Sequence, residues 1–464
     1  MFTFQFDENS PLPKYDQLYR HVRDGIAAGV FAAGDRLPSK RKLAAHLRIS
    51  LNTVESAYAQ LVSEGYVDSA EKKGFFVLPV ASGRAPALRN PAGKTRTMQA
   101  KKDVSPFRYD MKNNAVDTAS FPFATWSRLM RDCLREDHAG LLKELEPQGD
   151  WQLREAIACY LGEYRDIGVS AEQIVLGAGT SYLLGILVDL LPAAKFAIED
   201  PGYAMIARTL QSRKARYEAI PVDDEGMSYG ALRKSGASAC ILTPSNHFPL
   251  GTVMSIKRRT LLLDWAENGS ERFLIEDDYD SDYRYELKPA PALCALGRGE
   301  RVVYLDTFAR TLTPSLRIAY MVLPRRLLEA YRARIRFYSC TVSAFEQRTL
   351  WRFIRGGQYE RHLNRMRTIY KRRRNIFLEG LDPVADRLDI FGTEAGLHLL
   401  LRSRGRVAEK TLVRKAAKAK VKVYGLSGYY HGAIGETNTV VAGYGGLGET
   451  DLARAAELLC AAWK

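Results

Sequence analysis

The chain has 464 residues, of which 46% are hydrophobic and 26% charged, the proportions of a globular protein rather than of a disordered or collagen-like one. At ~100–200 residues per domain it is too long for a single core and should hold two to four. No run of ~18 apolar residues could cross a membrane, and Met1–Glu8 has neither the basic start nor the apolar core of a signal peptide. Six scattered cysteines (Cys133, Cys159, Cys240, Cys294, Cys340, Cys460) form no C-x-x-C pair. That pattern argues against a disulfide framework or a zinc site and for a cytoplasmic location.

The net charge of +15 is unevenly placed. Residues 1–77 carry ten Lys/Arg against nine Asp/Glu, and residues 78–105 carry six against one. A basic surface by itself is weak ground for nucleic-acid binding, so the argument must come from motifs.

Tyr15, Leu18, Tyr19, Val22, Ile26 and Val30 recur at spacings of three and four, which predicts an amphipathic helix. Gly34–Ser39 reads as a turn, with Ser39 capping a helix over 40–47. After Arg48-Ile49, Ser50 caps a further helix with Val54, Ala57, Tyr58, Leu61 and Val62 on its apolar side. Gly65–Val67 and Gly74–Val77 then read as two short strands around a Lys72-Lys73 turn. Helices, turn and hairpin in this order predict a winged helix-turn-helix over residues 10–77. Alone, Lys40-Arg41-Lys42 is explained as well by a solvated helix face; the array of caps, helices and wing favours DNA.

The runs G-D-R-L-P-S-K-R-K-L-A (34–44), I-S-L-N-T-V (49–54) and Y-A-Q-L-V-S-E-G-Y-V (58–67) closely resemble the GntR family of bacterial regulators. The resemblance implies a duplex DNA operator as partner. It puts Arg36, Ser39, Arg41 and Ser50 on the contact side, with Arg41 on phosphate or base. Asn52 and Thr53 would open the recognition helix in the major groove, and Lys73 and Gly74 would shape the wing. Leu51 stands where many relatives carry Arg, which removes one donor.

Residues 78–105 are rich in Pro, Ala, Gly and basic side chains and lack hydrophobic periodicity, as a flexible basic linker should. Fully stretched, they would reach ~90 Å at ~3.3 Å per residue. A plain tether and a phosphate-contacting arm both fit this composition.

From residue 106 to 464, apolar runs at 173–176, 195–198, 239–242, 272–275 and 302–305 alternate with helical stretches. That alternation predicts an α/β domain with a mostly parallel sheet, whose ligands bind at the carboxyl ends of the strands. Gly177-Ala178-Gly179-Thr180-Ser181 follows one strand and opens a helix, where it could cradle a phosphate or serve as a packing turn. Glu199-Asp200-Pro201-Gly202-Tyr203, Thr243–Gly251 (with Asn246-His247) and Glu276–Tyr285 follow the next strands. The acidic run in the last of these could be a metal site, a solvated loop or a cofactor loop. His247 and His362 have no second ligand at a helical spacing, so no metal site is expected.

Asp306-Thr-Phe-Ala-Arg-Thr-Leu-Thr-Pro-Ser-Leu-Arg317 resembles the G-T-F-S-K-x-L-x-P-x-L-R segment of fold-type I aminotransferases. In that family the Lys forms a Schiff base with pyridoxal phosphate and the later Arg clamps the phosphate. Here Arg310 stands at the Lys position and Ala309 at the preceding Ser. A guanidinium stays protonated and cannot attack an aldehyde.

Together with E-D-P-G-Y, the T-P-S-N-H-F-P-L-G loop, E-D-D-Y-D-S-D-Y-R-Y and the basic run Glu346–Arg367, this pattern resembles the MocR/GabR-type transcriptional regulators. Such proteins join a GntR-like winged helix to a fold-type I transferase-like body. The resemblance implies a pyridoxal phosphate site of Gly179, Thr180, Ser181, Tyr203, Asn246, Asp277, Tyr279, Thr307, Arg310 and Arg317. Asp277 would meet the pyridine nitrogen, Tyr279 the ring hydroxyl, and Thr180 and Arg317 the phosphate.

With no Schiff-base Lys, and no Arg in Asn438–Gly446 to grip a substrate carboxylate, binding should be noncovalent and no catalytic residue is expected. A different small anionic effector is equally open. The expected protein is thus a homodimeric, ligand-responsive regulator. Its rivals are a working aminotransferase with an appended DNA-binding module and a DNA-binding protein whose body only dimerises.

Overall fold

The computed structural model describes residues 2, 4, 6, 7, 10, 12–70, 74–79, 106–136, 138–286, 290–297, 300–405, 407–432 and 434–464. The chain divides into two compact units, Met1–Val104 and Ser105–Lys464. Of the expected linker, only Leu78 and Pro79 fall among the described residues.

In the first unit, helices Lys14–Ala27, Lys40–Leu47 and Leu51–Ser63 precede strands Val67–Ala70 and Gly74–Val77. Leu18, Val22, Leu43, Val54, Tyr58 and Leu61 are fully buried and form one core, as the three-and-four spacing requires. The first helix stops earlier than its periodicity suggests. The chain turns through Gly29 at φ +73°, and Val30 lies 71% exposed instead of joining the core. The supposed turn at 34–39 contains a third strand, Arg36–Leu37, paired antiparallel with Gly74–Val77. Two residues are too few for a period-2 signal. Their strand exists only because the wing offers them an edge, with the Val77 N–H donating to the Asp35 carbonyl at 2.9 Å.

The second unit is built on an eight-stranded sheet. Its order is Ile174–Gly177, Ala319–Val322, Val302–Thr307, Phe273–Asp277, Ala239–Leu242, Lys195–Asp200, Arg216–Asp223 and Gly226–Met227. Ala319–Val322 and the edge strand Gly226–Met227 run antiparallel to their neighbours; the others are parallel. The strands Ile174–Gly177, Ala239–Leu242, Phe273–Asp277 and Ala319–Val322 are almost wholly buried, because helices cover both faces. A separate antiparallel sheet of Leu388–Phe391, His398–Ser403, Thr439–Gly443 and Tyr424–Gly425 packs with helices Gln358–Leu381 and Glu449–Trp463 around its own core.

Parallel strands put all their carboxyl ends on one edge. Gly177, Asp200, Leu242, Asp277 and Thr307 therefore release their chains at the same end of the sheet, each into a loop flagged by the sequence motifs.

Candidate functional site

In the first unit, the Ser39 hydroxyl accepts from the Lys42 N–H at 3.4 Å, and the Ser50 hydroxyl accepts from the Thr53 N–H at 3.1 Å. Both serines are caps, as their places before helices demand. Ser50 and Thr53 also share a hydroxyl hydrogen bond of 2.7 Å. The basic triplet is divided: Lys40 pairs with Glu55 at 3.4 Å and lies over the Phe75 ring, while Arg41 and Lys42 are exposed. Asn52 is exposed at the start of its helix and Arg36 is exposed on the short strand. Gly74 has φ +114°, and a Cβ there would sit 3.1 Å from Arg36 Nε. Glycine thus lets the wing strand and the Arg36 guanidinium lie together. Lys73 lies outside the described residues.

In the second unit, the carboxyl edge of the sheet borders a cavity of about 330 Å³. Of the ten residues expected there, Gly179, Thr180, Tyr203, Asp277, Tyr279, Thr307, Arg310 and Arg317 line it. Ser181 lines a small recess beside it, together with Thr180, Tyr203 and Asp277. Asn246 does not reach the wall: it is buried behind, and its amide donates to Asp280 Oδ2 at 2.9 Å. Sequence reading missed Asn113, Asn114, Phe248 and Tyr429, which also line it. Asn113 and Tyr429 are 316 positions apart and joined by a 2.8 Å hydrogen bond; no local pattern could signal that.

One end of the cavity is suited to an anion. Thr180 opens the helix Thr180–Leu190, whose first N–H groups have no intrahelical acceptor. Gly179 has φ +93°, and a Cβ on it would meet the Arg317 guanidinium at 2.7 Å. Its lack of a side chain lets Arg317 lie over the loop, donating to the Ala178 carbonyl at 2.9 Å.

Toward the middle, Asp277 Oδ1 is buried with no hydrogen-bond partner. Burial first, then the neighbouring Asp278 and Asp280, push its pKa up to about 7. The Tyr279 hydroxyl is likewise buried without a partner at bonding distance, although Asp280 is near enough to feel it. Arg310, 8% exposed, donates from Nη1 to the Asn113 carbonyl at 3.3 Å. Its Nη2 stands 3.8 Å from Asp280 Oδ2, and its guanidinium lies over the Tyr279 ring at 5.5 Å. Arg310 Nε and Nη2 have no hydrogen-bond partner.

The acidic run is buried rather than a solvated loop. Glu276 accepts from the Leu293 and Cys294 N–H groups at 3.0 and 3.1 Å. Asp278 accepts from Arg165 at 2.5 Å and Tyr304 at 2.7 Å, and Asp282 from Tyr160 at 2.8 Å. These three carboxylates each face their own partners, and among the described residues no group of three or more His, Cys, Asp or Glu could hold a metal ion. Among those residues, too, no helix is long and apolar enough to cross a membrane.

Behind the cavity, Glu199 Oε2 accepts from the Thr243 N–H at 3.0 Å and its hydroxyl at 2.6 Å, while Oε1 is unpartnered. Burial pushes Glu199 from 4.5 up to about 8, and burial holds the adjacent His247 down to about 3. The folded chain therefore binds a proton at Glu199 that the unfolded chain releases near pH 4.5. This contribution to stability is complete below pH 4.5 and lost as pH rises through about 8. Glu199→Gln should flatten the decline of stability across that window, by at most ~1.4 kcal/mol per pH unit. Denaturant unfolding of both proteins at a series of pH values checks this.

Residues 14–77 match the bacterial regulatory proteins of the gntR family, and residues 111–450 match aminotransferase class I and II. An HTH-type transcriptional regulator of Bacillus subtilis, YdeL, is 37% identical over 98% of this chain and 97% of its own length. The probable rhizopine catabolism regulatory protein MocR of Rhizobium meliloti is 32% identical over 95% and 92%. The pyridoxine biosynthesis transcriptional regulator PdxR of Corynebacterium glutamicum is 30% identical over 94% and 93%. Among solved structures, the kynurenine aminotransferase of Pyrococcus horikoshii, determined with PMP, superposes with a TM-score of 0.68. At 23% identity, and covering 77% of this chain and 91% of that one, it shares the fold. Matched along nearly its whole length by such relatives, the chain belongs to the family of HTH-type transcriptional regulators that join a gntR module to an aminotransferase class I and II body.

Proposed function

We propose that this chain is a DNA-binding transcriptional regulator whose body senses a small anionic molecule, with noncovalently held pyridoxal phosphate the first candidate, and that it does not transaminate. Residues 10–77 are the reading head, 78–105 the tether and 106–464 the sensing body. The observation that carries the sensing half is Arg310, a permanently protonated side chain on the cavity wall at the position where transaminases of this fold use a lysine.

The residues present fit the cofactor. Asp277 Oδ1 lacks a donor and can take a ring N–H. Tyr279 offers a free hydroxyl to the ring oxygen. Gly179, Thr180 and Arg317 form the anion end. When bound, pyridoxal phosphate supplies an aldehyde and an electron-withdrawing ring. Without an amine at position 310 the protein has no group there to hold that aldehyde covalently or to move a proton at a substrate carbon. A relative named for regulating pyridoxine biosynthesis supports a sensor of this vitamin.

A homodimer reading two half-sites completes the proposal. Exposed Leu142, Phe337 and Tyr338 support it, their segments being joined by a 2.9 Å hydrogen bond from Ser339 to Glu144, because apolar groups gathered on a surface mark association sites. Sedimentation at micromolar concentration should give twice the chain mass.

Two further experiments test the function. Arg41→Ala should weaken binding to the chain's own promoter by ~1–3 kcal/mol if the contact is to a base edge. Fluorescence anisotropy measures this, and unchanged affinity for both that variant and a chain lacking residues 1–77 would contradict the reading-head assignment. Borohydride reduction in the presence of pyridoxal phosphate should attach no phosphopyridoxyl group at residue 310, as read by peptide mass. The double variant Ala309→Ser/Arg310→Lys should acquire one. If the double variant takes up no cofactor at all, the cofactor reading fails.

A further inference from the structure

The cavity is lined by groups of fixed and differing hydrogen-bonding character. Asp277 presents an unpartnered acceptor, and the anion end presents backbone donors and Arg317. Arg310 stands apart from both. It is more than nine-tenths buried, and its Nε and Nη2 are donors with no partner. Nη1 is tied to the Asn113 carbonyl and the guanidinium is stacked on Tyr279, so the side chain is held in place rather than free to swing away. Its nearest acid, Asp280, is 3.8 Å distant and its Oδ2 already accepts from Asn246.

A ring whose phosphate lies at Arg317, whose nitrogen lies at Asp277 and whose hydroxyl lies at Tyr279 presents its C4 substituent to the other walls, of which Arg310 is the charged one. A guanidinium has donors only. An oxygen substituent can accept from it. An ammonium substituent cannot: it leaves donors facing donors in a buried setting and adds like-charge repulsion.

We propose, on the basis of the cofactor reading above, that Arg310 is a specificity-determining residue that selects phosphorylated pyridine ligands bearing an oxygen substituent (carbonyl, carboxylate or hydroxymethyl) and rejects those bearing an aminomethyl cation. The replacement of lysine by arginine thereby changes what the site recognises as well as removing covalent chemistry. The regulator would report the oxygen-bearing forms of the vitamin and ignore the amine form.

Pyridoxine 5′-phosphate and pyridoxamine 5′-phosphate differ only by hydroxyl against ammonium, and neither reacts with surface lysines. Isothermal titration of the full-length protein with each gives the comparison. Pyridoxine 5′-phosphate should bind at least ~10-fold more tightly. Arg310→Met should reduce the difference to within ~3-fold, mainly by improving the amine's affinity, because removing the charge removes the repulsion. Thermal melting and far-ultraviolet dichroism check that the variant is folded.

Equal affinities in the wild type would overturn the inference while leaving the cofactor reading intact. So would tighter binding of the amine, which would mean that Asp280 dominates the local field. Discrimination that persists in Arg310→Met would assign it to another residue. If neither ligand binds, the cofactor reading itself fails and the inference falls with it.

Discussion

The second unit is organised around the cost of burying carboxylates. Glu199, Glu276, Asp278 and Asp280 lie almost wholly out of solvent at the carboxyl edge of one sheet, where an unpaired charge is expensive. The fold answers each differently. Arg165 pairs with Asp278 at 2.5 Å and holds its pKa below the usual range despite burial. Arg259 stands 3.9 Å from Glu276, which also receives two backbone N–H groups. Glu199 receives the Thr243 hydroxyl and N–H. Among the described residues, Asp277 alone of the acids lining the cavity has an unpartnered oxygen. The acids around it are internally satisfied, at least in part, so the one left facing the cavity is free to take a donor from a ligand.

Arg310 belongs to the same electrostatic arrangement. It faces Asp280 and lies over Tyr279, with charge pointing into the cavity from the wall opposite in character to Asp277. A lysine there would be a compact charge on a flexible stem, able to lose its proton when buried. A guanidinium cannot do so, and its planar shape favours stacking on an aromatic ring. This difference between a guanidinium and an amine is the chemical basis of the proposed sensing without turnover.

In the first unit, the residues that the family resemblance places at DNA perform two kinds of task. Ser39 and Ser50 satisfy the first N–H groups of their helices. They hold in position the exposed Arg41 and Asn52, which have no comparable structural duty among the hydrogen bonds described for the module. A serine at a helix start serves the fold first and a ligand second.

Local pattern made much of this protein readable from its residues alone. Three-and-four spacing and serine caps located the helices of the reading head, and short apolar runs located five strands of the sheet, one of them, Ala239–Leu242, to the residue. The substitution of Arg310 for lysine was legible because chemistry at one position depends on residue type before geometry. The end of the first helix near Gly29, the strand Arg36–Leu37 and the antiparallel strand Ala319–Val322 were not legible. Each is decided by a partner strand or a turn rather than by its own periodicity.

The cavity wall divides in the same way. Its motif-bearing residues follow parallel strands, so strand polarity alone brings them to one edge. Asn113, Asn114 and Tyr429 join them only through packing between distant segments, and Asn246, between the wall residues Thr243 and Phe248 in sequence, is turned inward to Asp280. Residue type and periodicity are local properties and were available from the sequence. Which side chains face the same cavity, and which buried acid is left without a partner, are settled by long-range contacts that exist only once the chain has folded.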